Sequence, residues 1–131
     1  MATAPQAGPV SKTKLRAGRI ISAFPVLLLL FSAGVKFSGS PSVLEEFARL
    51  GYPESLVLPI GILELSCTVI YLIPRTGVFG AILLTAYLGG ATATHVRIGD
   101  PFIGPVVTGV LVWAGLFLRE DRLRPLVPLR S

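Results

Sequence analysis

The chain has few of the residues from which soluble active sites and metal centres are usually assembled. Its 131 residues include one cysteine, one histidine, one methionine and one tryptophan. A lone cysteine, Cys67, excludes an intramolecular disulfide, and no Cys/His spacing resembles a zinc, haem or iron–sulfur site, so no metal is expected. Cys67 reads as a small, soft packing residue. Charge is equally scarce. Only 15% of residues are charged against 52% hydrophobic, and the mean hydropathy is +0.74. That balance excludes a soluble domain of this length and points to one polytopic membrane domain. In a soluble protein a net charge of +5 would suggest nucleic acid. Here the basic residues flank apolar runs and no recognition fold is present, so nucleic acid is rejected as a partner.

The apolar residues fall into four runs, at about 20–37, 54–73, 78–96 and 102–118. The predicted fold is all-α, a bundle of four transmembrane helices over residues 17–124. Residues 1–16 are expected to form a disordered cytoplasmic tail, and 125–131 a second tail. A basic segment before an apolar core also fits a secretory signal peptide. The length of the first run, its lack of an A-x-A site and the three runs after it argue against that alternative. Pro25 should kink the first span. Between the first two spans, Val43, Leu44, Phe47 and Leu50 share one helical face, and Ser42 with Glu45 has the form of a capping box. A short amphipathic helix over the bundle mouth is expected there, stopping at Gly51. Asp100 and Pro101 read as the cap and first turn of the fourth span. Of the twelve Lys and Arg residues, nine fall on the side of the termini and three, Lys36, Arg49 and Arg97, on the other. The positive-inside rule then puts both termini in the cytoplasm and the protein in the inner (plasma) membrane, with lipid around it.

Glu64 lies near the middle of the second run, where a carboxyl group costs ~2.5–3.5 kcal/mol on insertion scales. Counting from the outer end of the span puts it ~15 Å deep. Lys36 and His95 stand at the outer ends of the first and third runs, within reach of it through their own side chains or water. The three together form a candidate polar, catalytic site in the outer half of the bundle. Each also has a plainer role. Lys36 suits a headgroup anchor, and His95 suits a cap for the carbonyl end of its helix. Glu64 suits a neutral acid bonded to a neighbouring hydroxyl. Glu64, Thr68 and Tyr71 share one face, Thr85, Gly89 and Thr92 another, and the two faces are expected to meet. Tyr87 and Trp113 read as packing or interface residues.

Several pieces, in their order and spacing, resemble the DoxX-like family of small four-helix membrane proteins. The first span ends Gly34-Val35-Lys36-Phe37, and the outer connection reads Phe47-Ala48-Arg49-Leu50-Gly51-Tyr52-Pro53. The second span holds Gly61-Ile62-Leu63-Glu64, and an Ala/Thr-rich stretch leads to His95. The resemblance covers residues 17–124 and implies a four-helix membrane bundle. The relatives that give the family its name include a subunit of a thiosulfate:quinone oxidoreductase, and others accompany redox or oxidative-stress proteins. It implies a redox-accessory role with Lys36, Glu64 and His95 as the polar site. The chain carries no cofactor motif of its own, so such a role requires a quinone or a redox partner subunit. If the protein is part of an enzyme, it is an oxidoreductase subunit. Two other readings stay open: a non-catalytic small-molecule binder or carrier, which as a transporter would need a homo-oligomer, and a structural or assembly partner of another membrane protein.

Overall fold

The computed structural model describes residues 11–126. The first helix, α1 (Lys12–Ser38), starts at Ser11, whose extended backbone and hydroxyl receive the Lys14 N–H at 3.1 Å. It therefore takes in residues 12–16, expected in the tail, because Lys and Arg are good helix formers and the cap sits at position 11. Residues 1–10 and 127–131 of the expected tails lie outside the described residues. The helix runs on through Pro25 and ends at Gly39, where φ is +63°. Its 27 residues exceed the ~30 Å of a hydrocarbon core at about 1.5 Å each, which leaves room for the basic turns at its start.

The amphipathic helix is present as α2 (Pro41–Arg49), with Val43 and Phe47 buried. The capping box is not. Pro41 occupies the first turn, so the cap position moves back to Ser40, and Ser42 Oγ lies 3.2 Å from Ser40 Oγ instead. The remaining helices are α3 (Val57–Leu72), α4 (Gly77–Arg97) and α5 (Ile103–Arg119), with short 3-10 turns before α3 and α4 and after α5. Asp100 does not start α5. Its N–H donates to His95 O at 2.8 Å and Gly99, at φ +75°, donates to Val96 O, so the pair closes α4 in a Schellman-like turn. Helix α5 begins after Phe102 with no side-chain cap.

Three of the helical segments are long and apolar enough to cross a membrane: Lys12–Ser38, Glu54–Leu72 and Pro74–Arg97. The fourth, α5, is apolar but only 17 residues long, about 25 Å. The helices close a ring in which α1 and α4 each pack against both α3 and α5. Large apolar side chains such as Phe24, Phe31, Ile62, Phe79 and Val110 stay exposed on its flanks, as a lipid-facing surface requires. Inside, Leu29, Tyr71, Leu84 and Val112 form the core.

The two ends of the ring differ. At the end holding the start of α1, helices touch backbone to backbone. A methyl group at Gly115 would strike Ser22 and come within 3.1 Å of Gly18 O, and one at Gly80 would run into the backbone of Ile70 and Tyr71. At the other end, methyl groups at Gly90 and Gly104 would meet nothing within 4 Å. Gly80→Ala is expected to cost about 1–3 kcal/mol by overpacking two backbones. Gly89→Ala, with open space around it, should be neutral or slightly stabilising. Thermal unfolding of both variants in one detergent checks the contrast; a Gly80→Ala protein as stable as wild type contradicts the close approach.

A candidate polar site at one end of the bundle

Lys36 sits in the last turn of α1, one turn beyond Ser32 on the same face. Its Nζ donates to Ser32 Oγ at 2.7 Å and to Glu64 Oε1 at 3.0 Å. Glu64 is 2% exposed, so the carboxylate is removed from solvent while the ammonium reaches it from the side. Gly61, just before Glu64 on α3, lets the Lys36 stem cross that helix: a Cβ there would stand 3.0 Å from Lys36 Cβ. Lys36 is thus turned inward rather than serving as a headgroup anchor, because the buried carboxylate offers a better partner than interfacial water.

The hydroxyl faces do not meet as the helical periodicity suggests. Thr68 donates to the Glu64 backbone carbonyl, and Tyr71 reaches Ser22 and Val112 O. Thr85 accepts from Trp113 Nε1 at 2.6 Å, while Thr92 bonds its own helix. Tyr87, read from the sequence as a packing or interface residue, lines the same cavity as Glu64.

Lys36, Glu64 and His95 line one cavity of about 590 Å³ enclosed by α1, α3, α4 and α5. Tyr87, Thr94 and Thr108 add hydroxyls, and Leu29, Leu63 and Leu88 make apolar wall. The contact of Lys36 with Glu64, 28 residues apart in the chain, is the direct approach that their positions along the spans allow. His95 Nδ1 is 2.7 Å from Ala91 O; since a carbonyl only accepts, Nδ1 carries the hydrogen and Nε2 is the free ring nitrogen. His95 therefore bonds the carbonyl end of α4, as a cap would, while lining the cavity.

Helix α2 roofs the cavity with Phe47 and Leu50. Three polar contacts hold the roof to α4 and the turn after it. Tyr52 OH lies 2.7 Å from Thr94 Oγ1, Arg97 donates to Leu50 O, and Arg49 pairs with Asp100 at 2.7 Å. Gly51, at φ +87°, makes the turn and leaves space for the Arg97 guanidinium, 3.1 Å from where a Cβ would lie. Arg49 also bonds Glu46, at 3.1 Å from Nε. Hydrogen bonding to Arg49 holds the Asp100 carboxyl below its ordinary value, and the two carboxylates raise the guanidinium.

Glu46, His95 and Asp100 also form a potential metal-ligating group, with ligand atoms within 4.8 Å of one another. Spacing along the chain gives no sign of it. Arg49 already supplies the positive charge between the two carboxylates, so the group works here as an ion-paired latch. The opposite end of the bundle is closed by a second polar cluster. Tyr71 OH donates to Val112 O at 2.7 Å and lies 3.1 Å from Ser22 Oγ; Arg119 Nε donates to Ser22 Oγ, and its guanidinium lies 5.2 Å over the Tyr71 ring.

Removing one partner of a buried pair strands the other. Lys36→Met is expected to destabilise the bundle by about 3–5 kcal/mol, with the Lys36→Met/Glu64→Leu double variant recovering most of it. Denaturation of the two in one detergent decides, and equal loss in both would mean the pair carries no such coupling. The latch has its own signature. A carboxyl whose pKa is lowered on folding contributes above its ordinary value, 3.8 for Asp100, and loses that contribution as pH falls through the lower folded value. A spin label at Ala48 should stay immobile from about pH 7 down to pH 4 and loosen only in stronger acid. In Asp100→Asn the label should show the acid-loosened signal already at pH 7 and no further change between pH 7 and strong acid.

The comparisons are few. No curated protein and no solved structure matches the chain. Residues 20–115, which include every residue of the Lys36–Glu64–His95 cavity wall on α1, α3 and α4, match the DoxX-like family, and the chain belongs to it.

Proposed function

We propose that this protein is a membrane-embedded redox-accessory subunit that holds a quinone in the outer-half cavity. The observation that carries the reading is the Ser32–Lys36–Glu64 cluster: a hydrogen-bonded charge pair on the wall of a largely apolar 590 Å³ cavity. A purely structural pair has no need of open space beside it, whereas a ligand-binding site does. The donor set suits the group. Lys36 uses two of its three N–H bonds on Ser32 and Glu64 and has one left for a carbonyl oxygen. Tyr87 and the free Nε2 of His95 stand on the same wall. Glu64, through its second oxygen, is the group that would take or return a proton at the ligand's oxygen, with Lys36 balancing its charge. A bound quinone supplies two-electron, two-proton chemistry; the electrons would come from an oxidoreductase partner.

The same reading has four spans in the plasma membrane, with both termini in the cytoplasm. Lys12, Lys14, Arg16, Arg19 and Arg75 gather at the tightly packed end, which supports that orientation. An assembly role is the second reading. It is favoured by the groove between α4 and α5, lined by Gly89, Thr92 and Gly109, small residues of the kind that admit another helix.

Purification from native membranes in mild detergent, followed by mass spectrometry of bound small molecules, tests the proposal. Wild type should retain quinone near one per chain, and Glu64→Gln should retain about tenfold less, the equivalent of 1.4 kcal/mol. Because Gln leaves Lys36 without its carboxylate, some loss of stability is expected, and a melting profile verifies that the variant is still folded under the conditions of purification. A wild-type protein carrying only ordinary phospholipid would defeat it.

A further inference from the structure

We infer that the cavity takes its ligand sideways from the bilayer, through a slot between α3 and α4 bounded by Leu63 and Gly90, and that the ligand is an amphiphile. Its polar head would lie at Lys36 and Glu64 and its apolar tail would run out through the slot. The inference rests on the proposed reading of the cavity and adds the route and the tail.

Leu63 and Gly90 have a double character. Both line the cavity, yet Leu63 is 52% exposed and Gly90 is exposed as well. They lie on helices that pack side by side. A residue that faces both an internal cavity and the outside of a bundle marks its opening. Ala86, one turn before Gly90 on α4, shares that character. The two boundary residues are also level with each other. Gly90 is seven residues from Arg97 at the outer end of α4, and Leu63 is six from Val57 at the outer end of α3. At 1.5 Å per residue both stand about 9–10 Å inside their helix ends. That is hydrocarbon depth, where an apolar chain costs nothing and an open polar backbone is not tolerated.

The aqueous route is closed at three points: Tyr52 on Thr94, Arg97 on Leu50 O, and Arg49 on Asp100. The slot has no such fastening. A Cβ at Gly90 would meet nothing within 4 Å, so the passage is widest where the side chain is missing. Glu64 follows Leu63 directly, and Tyr87 lies one turn before Gly90, so the polar groups begin where the slot ends. A second exposed stretch, Leu28 with Gly104, also touches the cavity. Leu28, ten residues before the end of α1, stands about 15 Å inside by the same count, whereas Gly104 is the second residue of α5, so the two are not level with each other as Leu63 and Gly90 are.

The test uses the full chain in lipid nanodiscs and two probes that share one head: a tail-less benzoquinone and its decyl-tailed counterpart. Wild type should prefer the tailed probe beyond its simple partition into empty discs. Gly90→Phe, at a position where an added Cβ meets nothing within 4 Å, is chosen to fill the slot and is expected to cost the tailed probe about tenfold more in dissociation constant than the tail-less ring, a 1.4 kcal/mol difference. Gly104→Phe should not produce that selectivity, and a melting profile verifies that each variant is folded. Equal losses for the two probes in Gly90→Phe, or a selective loss in Gly104→Phe instead, would overturn the slot while leaving the cavity reading standing. Wild type that binds neither probe would overturn both. A diazirine at mid-tail supplies a second readout: adducts should fall on the α3 and α4 peptides carrying Leu63 and Gly90, and adducts on α2 would mean entry from water.

Discussion

A single charge pair sets the terms for the rest of this bundle. A carboxylate held at 2% exposure among apolar helices is tolerable only with a cation against it. Lys36 meets that need by bending inward from the end of α1, and Ser32 holds the ammonium in place. The geometry then constrains neighbours with no charge of their own. Gly61 gives the lysine stem room to pass close to α3, and Tyr87 forms part of the same cavity wall. The cavity exists because four helices surround a polar contact rather than interdigitating fully.

The parts that hold the bundle shut are distributed around that contact. At one end Tyr71, Ser22 and Arg119 tie α1, α3 and α5 together with direct hydrogen bonds. At the other, α2 rests on a small apolar cluster of Val43, Phe47 and Val57 and is tied to α4 and the turn after it by side-chain links.

Much of this was legible in the residues. The apolar runs, the short amphipathic helix, and the three polar side chains that belong to one chamber all follow from where hydropathy is interrupted. Lys36, Glu64 and His95 stand out because so little else in the spans is charged. What was not legible is rotation. Helices α3 and α4 are apolar nearly all round, so no periodicity says which face turns inward, and the Thr85–Gly89–Thr92 face was set against Glu64 when it lies toward Trp113 and α5. Helix α2 has two distinct faces, and its buried Val43 and Phe47 could be named. Asp100 misled for another reason: an Asp-Pro pair has the form of a helix start, but Gly99 ends α4 first and frees the carboxylate for Arg49. The meeting of Glu46, His95 and Asp100 depends on how a lid folds over a bundle, which spacing along the chain does not encode.

The uneven filling of the ring has a mechanical meaning. Where Gly18 meets Gly115 and Gly80 meets Tyr71, atoms are already in contact and the bundle has nothing left to give. Around the 590 Å³ chamber the walls stand apart. The molecule is thus stiff at one end and compressible at the other. Lateral pressure from the surrounding lipid therefore meets a filled end that has little volume to lose and an end whose cavity has volume to give.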